Sequence, residues 1–155
     1  MELATRLYED LPIVLSRPFN YTGRGQSPNF LIPKIINAFK DSKRAIELGN
    51  LDVSRDFSDV RDVVAAYLRL LETDISASAY NICSGTATSL LSVIDTLNDL
   101  AGYDIQVSIN PDLIRSDEIK TLYGSPALLE AAIGDYRKYA LTDTLAWMLA
   151  EKQAA

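Results

Sequence analysis

Hydrophobic residues recur along this chain at two spacings, and each spacing names an element. Val60, Val63, Val64, Tyr67, Leu68 and Leu71 fall at i, i+3, i+4, i+7, i+8 and i+11, one apolar face of a helix reaching about Glu72. Ser58 stands where an N-cap would accept from the first-turn amides, and Asp59 and Asp62 suit the positive end of the helix dipole. Just upstream, Leu48-Gly49-Asn50 makes a turn and Arg55-Asp56 an exposed charged pair. A rigid helix start preceded by Arg55 is a candidate anion-binding corner; the alternative is a surface arginine in a loop.

The same reading orders the rest. Leu3 to Tyr8 is the tail of a helix, ending near Asp10 and Pro12. Ile13-Val14-Leu15 is a β-branched run of the kind buried on both faces of a parallel sheet, and it needs a second strand to pair with. Ser27-Pro28 reads as N-cap and first residue of a helix to Lys40 with Phe30, Leu31, Ile35, Ile36 and Phe39 inward, unless Pro33 marks the start. Ala45–Leu48 and Ala79–Cys83 are strands. Thr88 or Ser89 caps a helix using Leu90, Val93, Ile94, Leu97 and Leu100, which Gly102 stops. Ile105 to Ile109 alternates as a half-exposed strand, and Pro111 to Ser125 is irregular. Ser125-Pro126 opens a short helix ending at Gly134, and Thr142 to Lys152 is a last helix packed through Leu145, Met148 and Leu149.

Composition removes several chemistries. At 155 residues the chain is one domain or a piece of one. With Lys+Arg at 15, Asp+Glu at 21 and a net charge of −6, it lacks the clustered positive charge that nucleic acid requires. Histidine is absent, which excludes Ser-His-Asp and Cys-His catalysis and histidine-ligated metals. The single cysteine, Cys83, excludes an internal disulfide and a cysteine-based zinc site, so no metal is expected. No apolar run approaches the roughly 18 residues of a membrane span and no signal peptide is visible, so the expected location is the cytoplasm. Gly23 and Gly25 form a single Gly-x-Gly without the third glycine of a dinucleotide loop, Pro28 standing in that place.

The order of short motifs carries more than any one of them. Arg17-Pro18-Phe19-Asn20, Thr22-Gly23, Gly25-Gln26, Phe30-Leu31-Ile32-Pro33, Leu48-Gly49-Asn50, Arg55-Asp56-Phe57, Asp59-Val60-Arg61-Asp62-Val63 and Tyr80-Asn81-Ile82-Cys83-Ser84-Gly85 resemble the C-terminal half of the extended short-chain dehydrogenase/reductase family, the nucleotide-sugar epimerases, dehydratases and reductases. Leu48 to Asp52 with Arg55-Asp56, and Ile114 to Glu118 ahead of Gly124-Ser125-Pro126, look most like the branch that reduces or dehydrates GDP-hexoses.

The resemblance implies an α/β fold: the C-terminal, substrate-binding part of an extended short-chain dehydrogenase, lacking most of the Rossmann sheet, with short strands and about five helices. Residues 1–26 would be the last helix end, strand and loop of the Rossmann domain, and residues 27–155 the nucleotide-sugar-binding domain. The family's Tyr-x-x-x-Lys is not met, since no tyrosine here has a lysine four residues on, so no catalytic residue is assigned and the chain alone is expected to be inactive. NAD or NADP would serve the full-length protein and none is expected to bind this chain alone. A nucleotide sugar is the implied ligand, an N-terminal Rossmann domain the implied partner, and a homodimer would cover exposed apolar surface. An alternative is a non-catalytic nucleotide-sugar-binding or assembly module, and a third reading is an inactive remnant.

The resemblance also distributes roles. Asn20 would contact the sugar or diphosphate, or else stabilise its own turn. Arg55 and Arg115 would clasp phosphate or ribose with guanidinium forks, or else form salt bridges, Arg55 to Asp59 for instance. Glu118 would accept from ribose hydroxyls, and Leu31 and Lys34 would lie near the base. Pro18 and Phe19 are the weaker, cofactor-side candidates. Arg24 replaces the proline usual in the family, Asp62 reads as structural, and Tyr136 and Trp147 read as packing.

Overall fold

Parallel pairing ties distant parts of the chain together in the computed structural model, which describes residues 11, 13–74 and 79–151. Strand β1 (Leu15–Pro18) lies beside β6 (Ala79–Ile82), and β2 (Asn20–Thr22) beside β5 (Phe57–Asp59). Strand β3 (Ala45–Leu48) lies beside β8 (Gln106–Ile109). A three-stranded sheet places β4 (Ser54–Arg55) between antiparallel β7 (Thr88–Ser89) and parallel β9 (Thr121–Leu122). The helices are α1 (Leu31–Lys40), α2 (Val60–Glu72), α3 (Leu90–Ala101), α4 (Ala127–Ile133) and α5 (Leu141–Leu149). No helix among the described residues is long and apolar enough to cross a membrane. The helix expected over Leu3–Tyr8 lies outside the described residues.

The apolar run at Ile13–Leu15 finds its partner within the chain. The strand begins at its last residue, runs on to Pro18, and pairs with β6. Helix α1 starts at Leu31 rather than at Pro28, because residues 27–30 close a turn through Phe30 N–H to the Ser27 carbonyl at 3.1 Å. Pro33 fits its first turn, where a missing N–H has no intrahelical partner to lose. Ser89 caps α3 by accepting from Ser92 N–H at 3.0 Å, and Gly102 ends it at φ +75°. Leu100, expected inward, is exposed.

Among the described residues, two apolar clusters form the interior. The first joins Ile35, Ile36 and Phe39 of α1 to Leu90, Val93, Ile94 and Leu97 of α3 and to Leu145 and Met148 of α5. The second joins Val63, Ala66 and Leu70 of α2 to Tyr80 and Ile82 of β6, Leu129 of α4 and Tyr136. Residues 53–63 run from one cluster to the other, with Val53 and Phe57 in the first and Val63 in the second.

That crossing segment corrects the expected face of α2. Val64, Tyr67, Leu68 and Leu71 are exposed, Leu71 at 84%. The inward stripe is Asp62, Val63, Ala66 and Leu70, one notch round the helix. The cause is polar. Asp62 is buried because it accepts from the backbone N–H groups of Lys138 at 3.0 Å and Tyr139 at 3.2 Å, which turns its side of the helix inward. Its neighbours behave alike. Asp56, expected exposed, has 0% exposure and accepts from Ser84 N–H at 2.7 Å, Gly85 N–H at 2.9 Å and Gly124 N–H at 3.4 Å. Asp59, not Ser58, is the N-cap of α2, accepting from Arg61 N–H at 2.7 Å. It also accepts from Arg61 Nε at 2.9 Å, Arg61 Nη2 at 2.6 Å and the Thr144 hydroxyl of α5 at 2.7 Å. The Arg61 guanidinium lies 3.5 Å from the Tyr139 ring centroid and 3.9 Å from that of Trp147.

Burial pushes the Asp59 carboxyl upward, but the bonds from Arg61 and Thr144 outweigh it and hold the group below its ordinary 3.8. Asp62 goes the other way: burial raises it above 3.8, only partly offset by its bonds from Lys138 and Tyr139.

Asp56→Ala leaves buried amides without an acceptor and is expected to cost roughly 2–5 kcal/mol. The urea midpoint checks this, and a loss under about 0.5 kcal/mol would mean that Asp56 is not a clamp. Because the folded value of Asp59 is depressed, its stabilising contribution is complete above about pH 4 and drains away as pH falls through that folded value. Asp59→Asn is therefore expected to be less stable near neutrality and to lose less on acidification below about pH 4 than the parent does. Parallel acid limbs in urea titrations would contradict this assignment.

Candidate functional site

A cavity of about 580 Å³ opens between the start of α1, the turn after β3 and the segment leading to β9. Asn20, Leu31, Lys34, Arg55, Arg115 and Glu118 all line it, and so does Phe19. Pro18 does not; it ends β1 in an exposed position. The fold brings these residues together from far apart in sequence. Asn20 opens β2, directly after Phe19, whose N–H donates to the Ile82 carbonyl at 2.9 Å. Leu31 and Lys34 share one face of the first turn of α1, three residues apart. Arg55 lies in β4, and Arg115 and Glu118 stand on the stretch between a 3₁₀ turn at Pro111–Leu113 and β9.

Their partners differ. Arg55 pairs with Glu118, and its Nη1 donates to the carbonyls of Ser54 at 2.8 Å and Lys120 at 3.3 Å. The Arg55–Asp59 bridge considered from the sequence does not form, since Asp59 belongs to Arg61. Lys34 Nζ donates to the Glu47 carbonyl at 2.8 Å, fastening α1 to β3. Among the described residues, the Asn20 amide and the Arg115 guanidinium have no hydrogen-bond or ion-pair partner, and both face a cavity also lined by Tyr21, Phe30 and Leu113.

The anion-binding corner expected at the start of α2 is closed, because the Asp59 carboxylate already occupies that helix end and Arg55 turns to Glu118. The open helix end is that of α1. Phe30 supplies no side-chain cap, no acidic residue sits in the first turn, and residues 31–34 line the cavity. An uncapped helix N-terminus with a guanidinium across a cavity favours a ligand carrying negative charge.

Asn50, Gly49 and Gln26, which the sequence offers as parts of family-like motifs without a site role, also line the cavity. Asn50 binds the backbone of Arg115 at both N–H, 3.0 Å, and carbonyl, 3.3 Å. A Cβ on Gly49 would stand 2.2 Å from the Leu113 carbonyl oxygen, so glycine is required for that approach. Gln26 ties the preceding loop, accepting from the Thr22 hydroxyl at 2.7 Å and donating to the Tyr21 carbonyl at 3.1 Å. The Gly-Asn pair was visible in the sequence as a turn, but the distant segment it receives was not.

Arg24 bonds away from the cavity, through Nε at 2.8 Å and Nη2 at 2.5 Å to the Trp147 carbonyl at the end of α5. Tyr136 packs, as expected: its hydroxyl donates to the Cys83 carbonyl at 2.9 Å and accepts from Cys83 N–H at 3.3 Å. Burial pushes that phenol up to about 12. No cluster of three or more candidate metal ligands occurs among the described residues. A Cβ on Gly23 would overlap Val60 Cγ1 at 2.4 Å, so that glycine serves packing, and Gly25 provides a turn at φ +78°.

The sequence profile of the NAD dependent epimerase/dehydratase family matches residues 1–83. The GDP-6-deoxy-D-talose 4-dehydrogenase of Aggregatibacter actinomycetemcomitans is 37% identical over 126 residues, covering 81% of this chain and 43% of that protein. The GDP-6-deoxy-D-mannose reductase of Pseudomonas aeruginosa is 35% identical over 127 residues, covering 79% of this chain and 42% of that protein. The structure of RMD from Pseudomonas aeruginosa complexed with NADPH superposes with a TM-score of 0.85 at 33% identity, over 96% of this chain and 50% of that one. The chain thus spans about half the length of the proteins it matches.

Cys83 is fully buried, and burial first, with the charge of Asp56 adding to it, pushes its thiol up to about 11. Iodoacetamide at about pH 8 is therefore expected to leave the native protein unlabelled and to label it after unfolding in urea. Rapid stoichiometric labelling of the native chain would contradict the burial of this strand end.

Proposed function

Because the chain belongs to the NAD dependent epimerase/dehydratase family, we propose that its cavity holds the nucleotide sugar for a reductase or dehydratase acting on a GDP-hexose, with reduction of a 4-keto-6-deoxyhexose as the favoured reaction. The observation that carries the proposal is the cavity itself, whose lining joins a guanidinium and an amide, both unpaired among the described residues, to an uncapped helix start. Two relatives of the chain are named for action on GDP-6-deoxyhexoses, one as a 4-dehydrogenase and one as a reductase.

In this reading each residue binds or orients. Arg115 grips the diphosphate with a fork that lysine cannot copy, and the α1 dipole favours the same charge. Asn20 meets a sugar hydroxyl or the diphosphate. Glu118, held by Arg55, accepts from the ribose, and Leu31 and Lys34 flank the base. Residues 27–155 carry most of this site; residues 1–26, which lend it Asn20, belong with a dinucleotide-binding unit, Pro18 and Phe19 lying on its side. NAD or NADP, when bound to such an enzyme, supplies hydride chemistry at the sugar carbon. Taken alone, the 155 residues hold substrate without turning it over, as no tyrosine among them has a lysine four residues on.

Isothermal titration calorimetry tests the assignment. GDP-mannose is expected to bind measurably and more tightly than UDP-glucose, and Arg115→Ala is expected to weaken it roughly tenfold to a hundredfold. Equal affinities for the two nucleotide sugars, or an unchanged dissociation constant in Arg115→Ala, would overturn the reading.

A further inference from the structure

Among the described residues the Arg115 guanidinium has no partner of its own, so its location depends on the backbone that carries it, and that backbone is fastened at two ends. The near end lies on Gly49-Asn50. The Asn50 side chain brackets one residue, accepting from Arg115 N–H at 3.0 Å and donating to the Arg115 carbonyl at 3.3 Å. A carboxamide accepts through its oxygen and donates through its nitrogen at the same time; ionised aspartate has no donor and alanine has neither group. The Leu113 carbonyl sits over the bare Cα of Gly49, and Asn110 N–H reaches the Leu48 carbonyl at 2.8 Å. The far end is held just ahead of β9, where Ser54 N–H donates to the Lys120 carbonyl at 2.7 Å and Arg55 meets Glu118. Residues 114–117, between these ends, are exposed.

We propose that Asn50 is the positioning residue for Arg115: its amide fixes the arm spanning Leu113 to Lys120, so that the guanidinium is presented to a phosphate-bearing ligand before that ligand arrives. The proposal rests on the reading of Arg115 as a phosphate ligand. It adds that affinity depends on the arm being preorganised. An arm loosened at its near end has to be ordered at the expense of binding, because a long cationic side chain on a mobile backbone loses more freedom on capture. Asn50 itself need not touch the ligand.

A double-mutant cycle separates this from a general loosening of the cavity. Dissociation constants for GDP-mannose are measured by calorimetry for the parent chain, Asn50→Ala, Arg115→Ala and the double variant. Asn50→Ala is expected to weaken binding by roughly five- to tenfold in the parent and by less than about twofold when Arg115 is already absent. Asn50→Ala should also flatten the dependence of affinity on salt, since the screened contact is that of Arg115. Equal losses in both backgrounds, or no loss at all, would overturn the proposal. An unchanged affinity in Arg115→Ala alone would instead overturn the reading of the cavity on which the proposal rests. Should Asn50→Ala fail to fold, Asn50→Ser, neutral and too short to bracket both backbone groups of Arg115, carries the same cycle with the same expectations.

Discussion

A carboxylate taken out of water has to find its hydrogen bonds inside the protein, and Asp56 finds them on Ser84, Gly85 and Gly124. Asp59 and Asp62 repeat the arrangement at three-residue intervals. The first holds Arg61 and the α5 hydroxyl of Thr144, and the second the amides of Lys138 and Tyr139. One short segment thus binds pieces of chain that carry little regular structure of their own. Separating any of these pairs would leave a buried charge or a buried N–H uncompensated, which is a larger loss than a typical surface contact.

The cavity inherits its shape from that arrangement. Asp56 anchors Gly124, which follows β9, while Arg55, the preceding residue, holds the same strand through Lys120 and Glu118. On the other side, β2 is registered against β5 with Thr22 opposite Asp59, which places Asn20 opposite Phe57. Helix α1 closes the third side through its own apolar stripe and through Lys34 on the Glu47 carbonyl. Binding groups therefore sit on turns and strand ends, and the apolar clusters below them supply rigidity.

How much of this was legible in the sequence depended on the kind of signal. Ser89 and Gly102 bound α3 because capping chemistry is local, and α1 showed its stripe because isoleucine and phenylalanine repeat at helical spacing. Helix α2 was found but turned the wrong way. Hydropathy cannot foresee that Asp62 is buried by two amides 76 and 77 residues further on, and small Ala66 packs inward while Leu68 and Leu71 do not. Strands β4, β7 and β9 have two residues each, too few for any period to register. The candidate binding residues came from the order of family-like motifs, and the cavity holds them together. What motif order could not convey was partnership: Arg55 with Glu118, Arg61 with Asp59, and Asn50 with the backbone of Arg115.

The claim that buried carboxylates, more than regular structure, hold these loops is tested most directly by amide hydrogen exchange at the donors. Ser84, Gly85, Lys138 and Tyr139 lie outside helices and strands, yet their N–H groups are bonded to Asp56 and Asp62. The account predicts that these amides exchange at least about a hundredfold more slowly than in an unfolded chain. Exchange at the unfolded-chain rate, with α1 and α3 still protected, would contradict it.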